Sequence, residues 1–245
     1  MEEVKSVRIT TIVDNDVWRK KLMSSWGLSF FVETASEEKQ YVVLMDTSGS
    51  FEVLFKNATF LDVKIFSIKA IFVSHWHEDH CGSLSHVLPL SRRSIPVYVP
   101  SVSPSKIRMI KEAQGAPIVC SRPVELTAGL MSTGEMPVGI SEHSLLINLK
   151  DKGLVVLVGC SHPGIINILK RAQEVSGVNK IFAVIGGFHI SSVAEGIAVG
   201  KFLREIDVEL VSPCHCTSIG AKHGIAKIMG ERCVKNGSGK IISIG

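Results

Sequence analysis

The chain reads as an α/β protein with two sheets packed face to face and helices outside. Three observations predict this. Short β-rich runs alternate with stretches of helical period, Pro and Gly punctuate the joins, and the two halves repeat that rhythm loosely. With 245 residues, 45% of them hydrophobic, the chain carries enough apolar side chains for one large core, and we expect a single domain over 1–245.

Val7 to Val13, Leu28 to Thr34 and Tyr41 to Met45 are rich in β-branched and aromatic residues and end in turn signals, so they read as consecutive strands. Ser50 is placed to cap a helix whose positions Val53, Leu54, Asn57-Ala58 and Leu61 recur at helical spacing. A strand over Ala70 to Ser74 follows. Pro96 to Val99 and Ile118-Val119 read as strands around a helix over Ser105 to Ala113. Ser144 to Leu149 and Leu154 to Val158 flank a Lys-Asp-Lys-Gly turn and predict a hairpin. Helices over Ile165 to Val175, Val193 to Ile206 and Ala221 to Met229 then alternate with strands over Ile181 to Ile185 and Val208 to Val211. There is no low-complexity linker and no short-period repeat.

Composition narrows the function. The charge of +4 arises from 27 basic and 23 acidic residues spread along the chain, and the densest basic spots are Arg19-Lys20-Lys21 and Arg92-Arg93. That is no nucleic-acid tract, which argues against a nuclease. No apolar run approaches the ~20 residues of a membrane span, and Met-Glu-Glu-Val-Lys lacks the order of a secretory signal. We expect a cytoplasmic protein with a small-molecule substrate and no membrane or nucleic-acid partner; the apolar excess admits a homo-oligomer. Six cysteines in a chain this long do not make a secreted disulfide scaffold, so most are expected as thiols.

The chemistry gathers at strand ends. Ile71-Phe72-Val73-Ser74 runs into His75-Trp76-His77-Glu78-Asp79-His80, which puts three imidazoles and two carboxylates within six positions. So many groups that are costly to desolvate point to a metal site. In a tight loop, His75 and His77 face one way and hold one cation, while Asp79 and His80 turn toward a second. Three further strand ends supply more candidates. Cys160 and His162 follow Leu154 to Val158, and His162 is the better ligand; Cys160 either bridges metals as a thiolate or packs as a small hydrophobe. His215 follows Val208 to Val211, flanked by Cys214 and Cys216, whose Cys-x-Cys spacing alone is a weak metal signal. His189 follows Ile181 to Ile185 and reads as a proton-exchanging or structural group. Glu142 and His143 are ligand candidates of lower weight, and His86 and His223 fall in helical stretches.

The His-x-His-x-Asp-His sequence after a strand, here His75 to His80, resembles the signature of the metallo-β-lactamase superfamily, along nearly the whole chain. The resemblance implies an αββα four-layer sandwich, two mixed sheets flanked by helices, with metals at one edge between the sheets. Val13-Asp14-Asn15, Trp26-Gly27-Leu28-Ser29, Leu44-Met45-Asp46-Thr47, Gly134-Glu135, Gly159 to Ile165, Gly186-Gly187-Phe188-His189 and Cys214-His215-Cys216-Thr217 resemble, in that order, a branch typified by ribofuranosylaminobenzene phosphate synthase of the methanopterin pathway. The chain departs from that branch at Asp46-Thr47-Ser48-Gly49, Trp76 and Glu78, and the superfamily's bridging aspartate has no counterpart, Cys160 standing near its place.

One or two divalent ions, zinc foremost and iron or manganese as alternatives, would be held by His75, His77 and His162 and by Asp79, His80 and His215. A bound cation lowers the pKa of water from 15.7 toward ~7, so the first reading is hydrolysis of a small ester, lactone or phosphoester through a metal-bound hydroxide, with Asp79 and His189 as catalytic residues. The second is a pterin-linked synthase that displaces diphosphate, with Phe188 or Trp76 stacking on the ring. The third is a metal-binding regulator without turnover. The oxygen-reducing di-iron members differ in carrying Glu where this chain has His77, and in an attached flavodoxin-like domain.

Overall fold

In β1 (Ser6–Val13) Val7 and Ile9 are buried while Arg8 is exposed, so the strand has one apolar face from its start. The computed structural model describes residues 1–37, 39–92 and 94–245, and Arg93 of the Arg92-Arg93 basic spot lies outside the described residues. β1 pairs antiparallel with β2 (Ser29–Ala35), and β2 with β3 (Gln40–Met45). Ser50 caps α1 (Phe51–Phe60) by accepting from the Val53 N–H, and the buried face is Val53, Leu54, Asn57 and Ala58, at the predicted spacing. Asn57 is buried because its side chain is engaged: its amide donates to the Ile12 and Met23 carbonyls at 2.9 and 2.8 Å.

Next come β4 (Ala70–Phe72), the single turns α2 (Glu78–Cys81) and α3 (Leu84–Val87), β5 (Pro96–Val99), α4 (Pro104–Glu112) and β6 (Ala116–Val119). β3, β4, β5 and β6 run parallel, the arrangement that helical crossovers impose. One face carries a core in which Leu54, Leu84 and Ile110 of the helices meet Phe31, Leu44, Ile71 and Val97 of the strands. Burying each such side chain contributes roughly 1.5–3 kcal/mol.

A second sheet begins with β7 (Val124–Thr127), β8 (Leu130–Ser132), β9 (Leu145–Leu149) and β10 (Gly153–Val158), all antiparallel neighbours except that β7 reaches β9 through β8. The expected hairpin is present, with Leu149 opposite Gly153. Then α5 (Ile165–Ser176), β11 (Ile181–Gly187), α6 (Val193–Glu205), β12 (Leu210–Cys214) and α7 (Ile219–Met229) alternate, and β10, β11 and β12 are parallel. Ile168, Leu169, Leu203 and Ile225 of the three helices close over Val156, Val184 and Val211. The last strand, β13 (Ile241–Ile244), pairs antiparallel with β1.

Two mixed sheets result, ordered β13-β1-β2-β3-β4-β5-β6 and β12-β11-β10-β9-β8-β7. The chain divides into two compact units, one of Lys5–Ser121 with Gly237–Gly245 and the other of Met1–Val4 with Arg122–Asn236. Met1–Val4 joins the second unit along the end of β9: the Val4 N–H donates to the Asn148 carbonyl at 2.9 Å, the Lys150 N–H donates to the Val4 carbonyl at 2.9 Å, and the Asn148 amide donates to the Met1 and Glu2 carbonyls at 3.2 and 3.0 Å. The short strands β7, β8 and β13 were not expected from the sequence, and β4 stops at Phe72 rather than Ser74. No helix among the described residues is long and apolar enough to cross a membrane.

Candidate metal centre

β3 and β4 run parallel with Met45 opposite Phe72, so the residues just beyond them come together. Asp46, fully buried and at φ 59°, takes up a left-handed turn there. Its Oδ1 accepts from the Ser74 N–H at 2.7 Å, and its Oδ2 accepts from the Ser74 hydroxyl and from His80 Nδ1, each at 2.7 Å. A carboxylate only accepts, so His80 carries its proton on Nδ1 and Ser74 spends its one hydroxyl proton on Asp46. The Ser74 oxygen must then accept from His75 Nδ1, 2.9 Å away. Each buried imidazole thereby spends Nδ1 on a hydrogen bond, which leaves Nε2 as the nitrogen that could ligate a metal.

Nε2 of His75 lies 3.1 Å from Nδ1 of His77, and Nε2 of His80 lies 3.8 Å from a carboxylate oxygen of Asp79. The expected tight loop is instead half loop and half helical turn. His77 caps α2, and its carbonyl accepts from the N–H groups of His80 and Cys81. His77 is exposed, and Glu78, exposed beside it, is engaged with Lys106 at 2.5 Å. Behind the turn, Gly27 at φ 143° has no room for a side chain, because a Cβ would stand 2.6 Å from the Asp79 carbonyl.

The second unit repeats the device. Leu145 lies opposite Leu157, which sets Glu142, just before β9, beside the end of β10. The Glu142 carboxylate accepts from the N–H groups of Cys160, Ser161 and His162 at 2.9, 2.8 and 2.9 Å, and from His162 Nδ1 at 2.8 Å. His162 is therefore also an Nδ1–H tautomer with its lone pair on Nε2. With its oxygens engaged in this way, Glu142 orients a ligand candidate rather than serving as one. His143 is buried elsewhere, with Nδ1 2.7 Å from the Ser132 hydroxyl.

β10, β11 and β12 end side by side, with Val158 opposite Gly186 and Gly187 opposite Cys214, so the loops after them converge. Parallel α/β sheets place ligand sites at such carboxyl ends. Ser161, His189 and His215 stand at φ 63°, 48° and 51°, conformations that cost energy in non-glycine residues and recur at functional sites. The donor atoms of Cys160, His162 and His189 lie within 4.8 Å of one another, as do those of Cys160, His215 and Cys216. His189 is exposed, its ring 4.8 Å from that of His162. The Cys216 thiol is drawn down to about 6 by its hydrogen bond with Cys160, against burial, with His215 and His189 adding to the depression. Cys214 is fully buried in β12. His86 stacks on Phe51 at 5.2 Å, and His223 is exposed on α7.

Imidazoles whose Nδ1 is engaged and whose Nε2 remains for ligation, a carboxylate and thiols are donors that suit a borderline divalent cation such as zinc. The chemistry of both donor sets thus fits the metal that the signature implies. The sequence reading did not give Asp46 and Glu142 their orienting roles, although each is an acid at the end of an apolar strand or the start of one.

Two mixed sheets flanked by helices are the elements of the metallo-β-lactamase fold. Residues 28–102 match the metallo-beta-lactamase superfamily, and the chain carries a domain of that superfamily. It is 27% identical, over 98% of its length and 97% of the other's, to the 7,8-dihydropterin-6-methyl-4-(beta-D-ribofuranosyl)-aminobenzene-5'-phosphate synthase of Methanocaldococcus jannaschii. Among solved structures, a metal-dependent hydrolase of the beta-lactamase superfamily superposes with a TM-score of 0.77 at 26% identity, covering 96% of this chain and 98% of that one. The metallo-beta-lactamase fold protein YhfI of Bacillus subtilis shares the fold, with a TM-score of 0.68 at 13% identity over 98% and 99% of the two chains.

Proposed function

We propose that the protein is a metal-dependent hydrolase of a small ester, lactone or phosphoester. In this reading His75, His77 and His162 hold one divalent ion, and Asp79, His80 and His215 hold a second. The observation that supports it is the pair of buried carboxylates, Asp46 and Glu142, that fix His80, His75 and His162 as Nδ1–H tautomers. Orienting imidazoles through Nδ1 in this way is what metal ligation through Nε2 calls for. A bound divalent ion supplies ionised water near neutral pH and polarises the acyl or phosphoryl oxygen. The Asp79 carboxylate orients the attacking water through its proton, and an exposed ring nitrogen of His189 donates a proton to the departing oxygen.

Elemental analysis of the purified chain is expected to give one to two equivalents of zinc, iron or manganese. That content should fall in His77→Ala and in His162→Ala, together with turnover of chromogenic lactones and phosphodiesters. No bound metal after reconstitution sinks the reading, and metal-loaded protein inert toward every substrate favours a regulator.

The second reading, a synthase that displaces diphosphate, is favoured by the 27%-identical relative, whose name is that of a pterin-linked synthase. Neither aromatic residue first considered for stacking is suited to it. Phe188 is 1% exposed, and Trp76 packs against the core with its indole N–H donating to the Ser101 carbonyl at 3.2 Å. Trp26 is a better candidate. It is 67% exposed and precedes Gly27, which is wedged against the Asp79 carbonyl. Aromatic stacking on a planar ring contributes roughly 1–3 kcal/mol, so Trp26→Ala is expected to raise KM for a pterin-type substrate about tenfold with kcat nearly unchanged. Steady-state kinetics checks this, and an unchanged KM removes Trp26 from the substrate site.

A further inference from the structure

We propose that Cys160, Cys216 and His215 form a cation site with two sulfur ligands, the thiols taking the places beside His215 that the reading above gives to Asp79 and His80, which commits the protein to a thiophilic ion of the zinc, cobalt or cadmium class rather than magnesium or manganese. The inference rests on the metal-dependent reading above and narrows the choice of ion. The two Sγ atoms and a ring nitrogen of His215 lie within 4.8 Å of one another. A tetrahedral site with bonds of ~2.0–2.3 Å needs ligand separations of roughly 3.3–3.8 Å, so small side-chain adjustments close it.

The structure also separates the two cysteines of the Cys-x-Cys run. Cys214 is fully buried within β12, opposite Gly187. Cys216 lies beyond the strand end, and its thiol donates to the Cys160 carbonyl at 3.6 Å. Gly187 explains how the sulfur fits. A Cβ there would stand 2.7 Å from the Cys216 Sγ and 2.5 Å from the Gly159 carbonyl, so the thiol occupies space that any other residue would fill.

The loops are also fastened to one another before any ion binds. The Cys160 N–H donates to Glu142, the Ser161 hydroxyl donates to the Gly187 carbonyl at 2.7 Å, and the Phe188 N–H donates to the Thr217 hydroxyl at 2.9 Å. With Ser161 and His215 both at left-handed φ, the backbone is committed to an unfavourable shape that gathers these three donors. As each sulfur–metal bond forms, its thiol proton leaves to solvent, and the two thiolates balance the charge of the dication.

The test is cobalt(II) added to the metal-free full-length chain, read by absorption. Wild type is expected to show an intense near-ultraviolet sulfur-to-cobalt charge-transfer band. Cys160→Ser and Cys216→Ser should each lose about half of it, and Cys214→Ser should keep it. Cobalt bound with visible bands alone, or a loss in Cys214→Ser equal to that in Cys160→Ser, overturns the sulfur ligation while leaving the metal-dependent reading intact. A full charge-transfer band on a protein inert to every substrate does the reverse. No cobalt uptake overturns both.

Discussion

Replacing Glu142 with glutamine is expected to destabilise the metal-free protein by about 3–5 kcal/mol, seen as a lowered urea midpoint and a melting temperature reduced by ~10 °C. The carboxylate is 1% exposed and accepts four hydrogen bonds, two on each oxygen. Glutamine offers one accepting oxygen and one NH2 group. Whichever way the amide is turned, two buried donors face another donor. If the oxygen stays with the Cys160 and Ser161 N–H groups, the His162 N–H is left without an acceptor and His162 must release its Nδ1 proton to accept from the amide. In the opposite orientation, two backbone N–H groups are stranded. Bonds to a buried charged group contribute roughly 1.5–3 kcal/mol each, which sets the scale. Working without metal separates this cost from any effect on ligation, and a loss below ~1 kcal/mol would show that the Gly159–Gly164 loop holds its shape without the carboxylate.

The same residue shows where the sequence was readable and where it was not. The helix over Phe51–Phe60 and the hairpin of β9 and β10 follow from spacing and turn chemistry, which act within a few residues. The short strands β7, β8 and β13 do not. Three or four residues carry too little alternation to register, and their strand state comes from pairing: β7 with β8, β8 with β9, and β13 with β1 at the other end of the chain. The donor cluster His75 to His80 stands out because its members are adjacent in sequence. Its orientation does not, because Asp46 lies 34 positions from the His80 it fixes and Glu142 lies 20 from His162. Register, which only the folded sheets reveal, puts Asp46 beside Ser74 and Glu142 beside Cys160. The choice between Cys214 and Cys216 is another case, since a period-two argument needs to know where β12 ends.

Asp46→Asn is expected to leave the fold largely intact and to lower metal affinity by about 10–100-fold, measured by competition with a chelator of known affinity. The substitution changes no volume, but it reverses a chain of protons. With the asparagine oxygen kept on the Ser74 N–H, its NH2 group occupies the place of Oδ2 and donates where the carboxylate accepted. His80 Nδ1 must then become an acceptor, which moves the imidazole proton to Nε2. The Ser74 hydroxyl, now accepting from the amide, is free to donate to His75 Nδ1, and the same shift follows there. One exchange of O for NH thus takes the lone pair from Nε2 of two candidate ligands, and each must recover the other tautomer at the expense of a buried hydrogen bond before it can bind an ion. Turning the amide over preserves both tautomers but sets its NH2 against the buried Ser74 N–H, which costs about 1–3 kcal/mol in stability instead. The two outcomes are separable by measuring affinity and urea stability on the same variant. If Asp46→Asn binds metal within twofold of wild type and unfolds at the same urea concentration, Asp46 does not set the tautomers, and His75 and His80 lose the argument for ligation made from it.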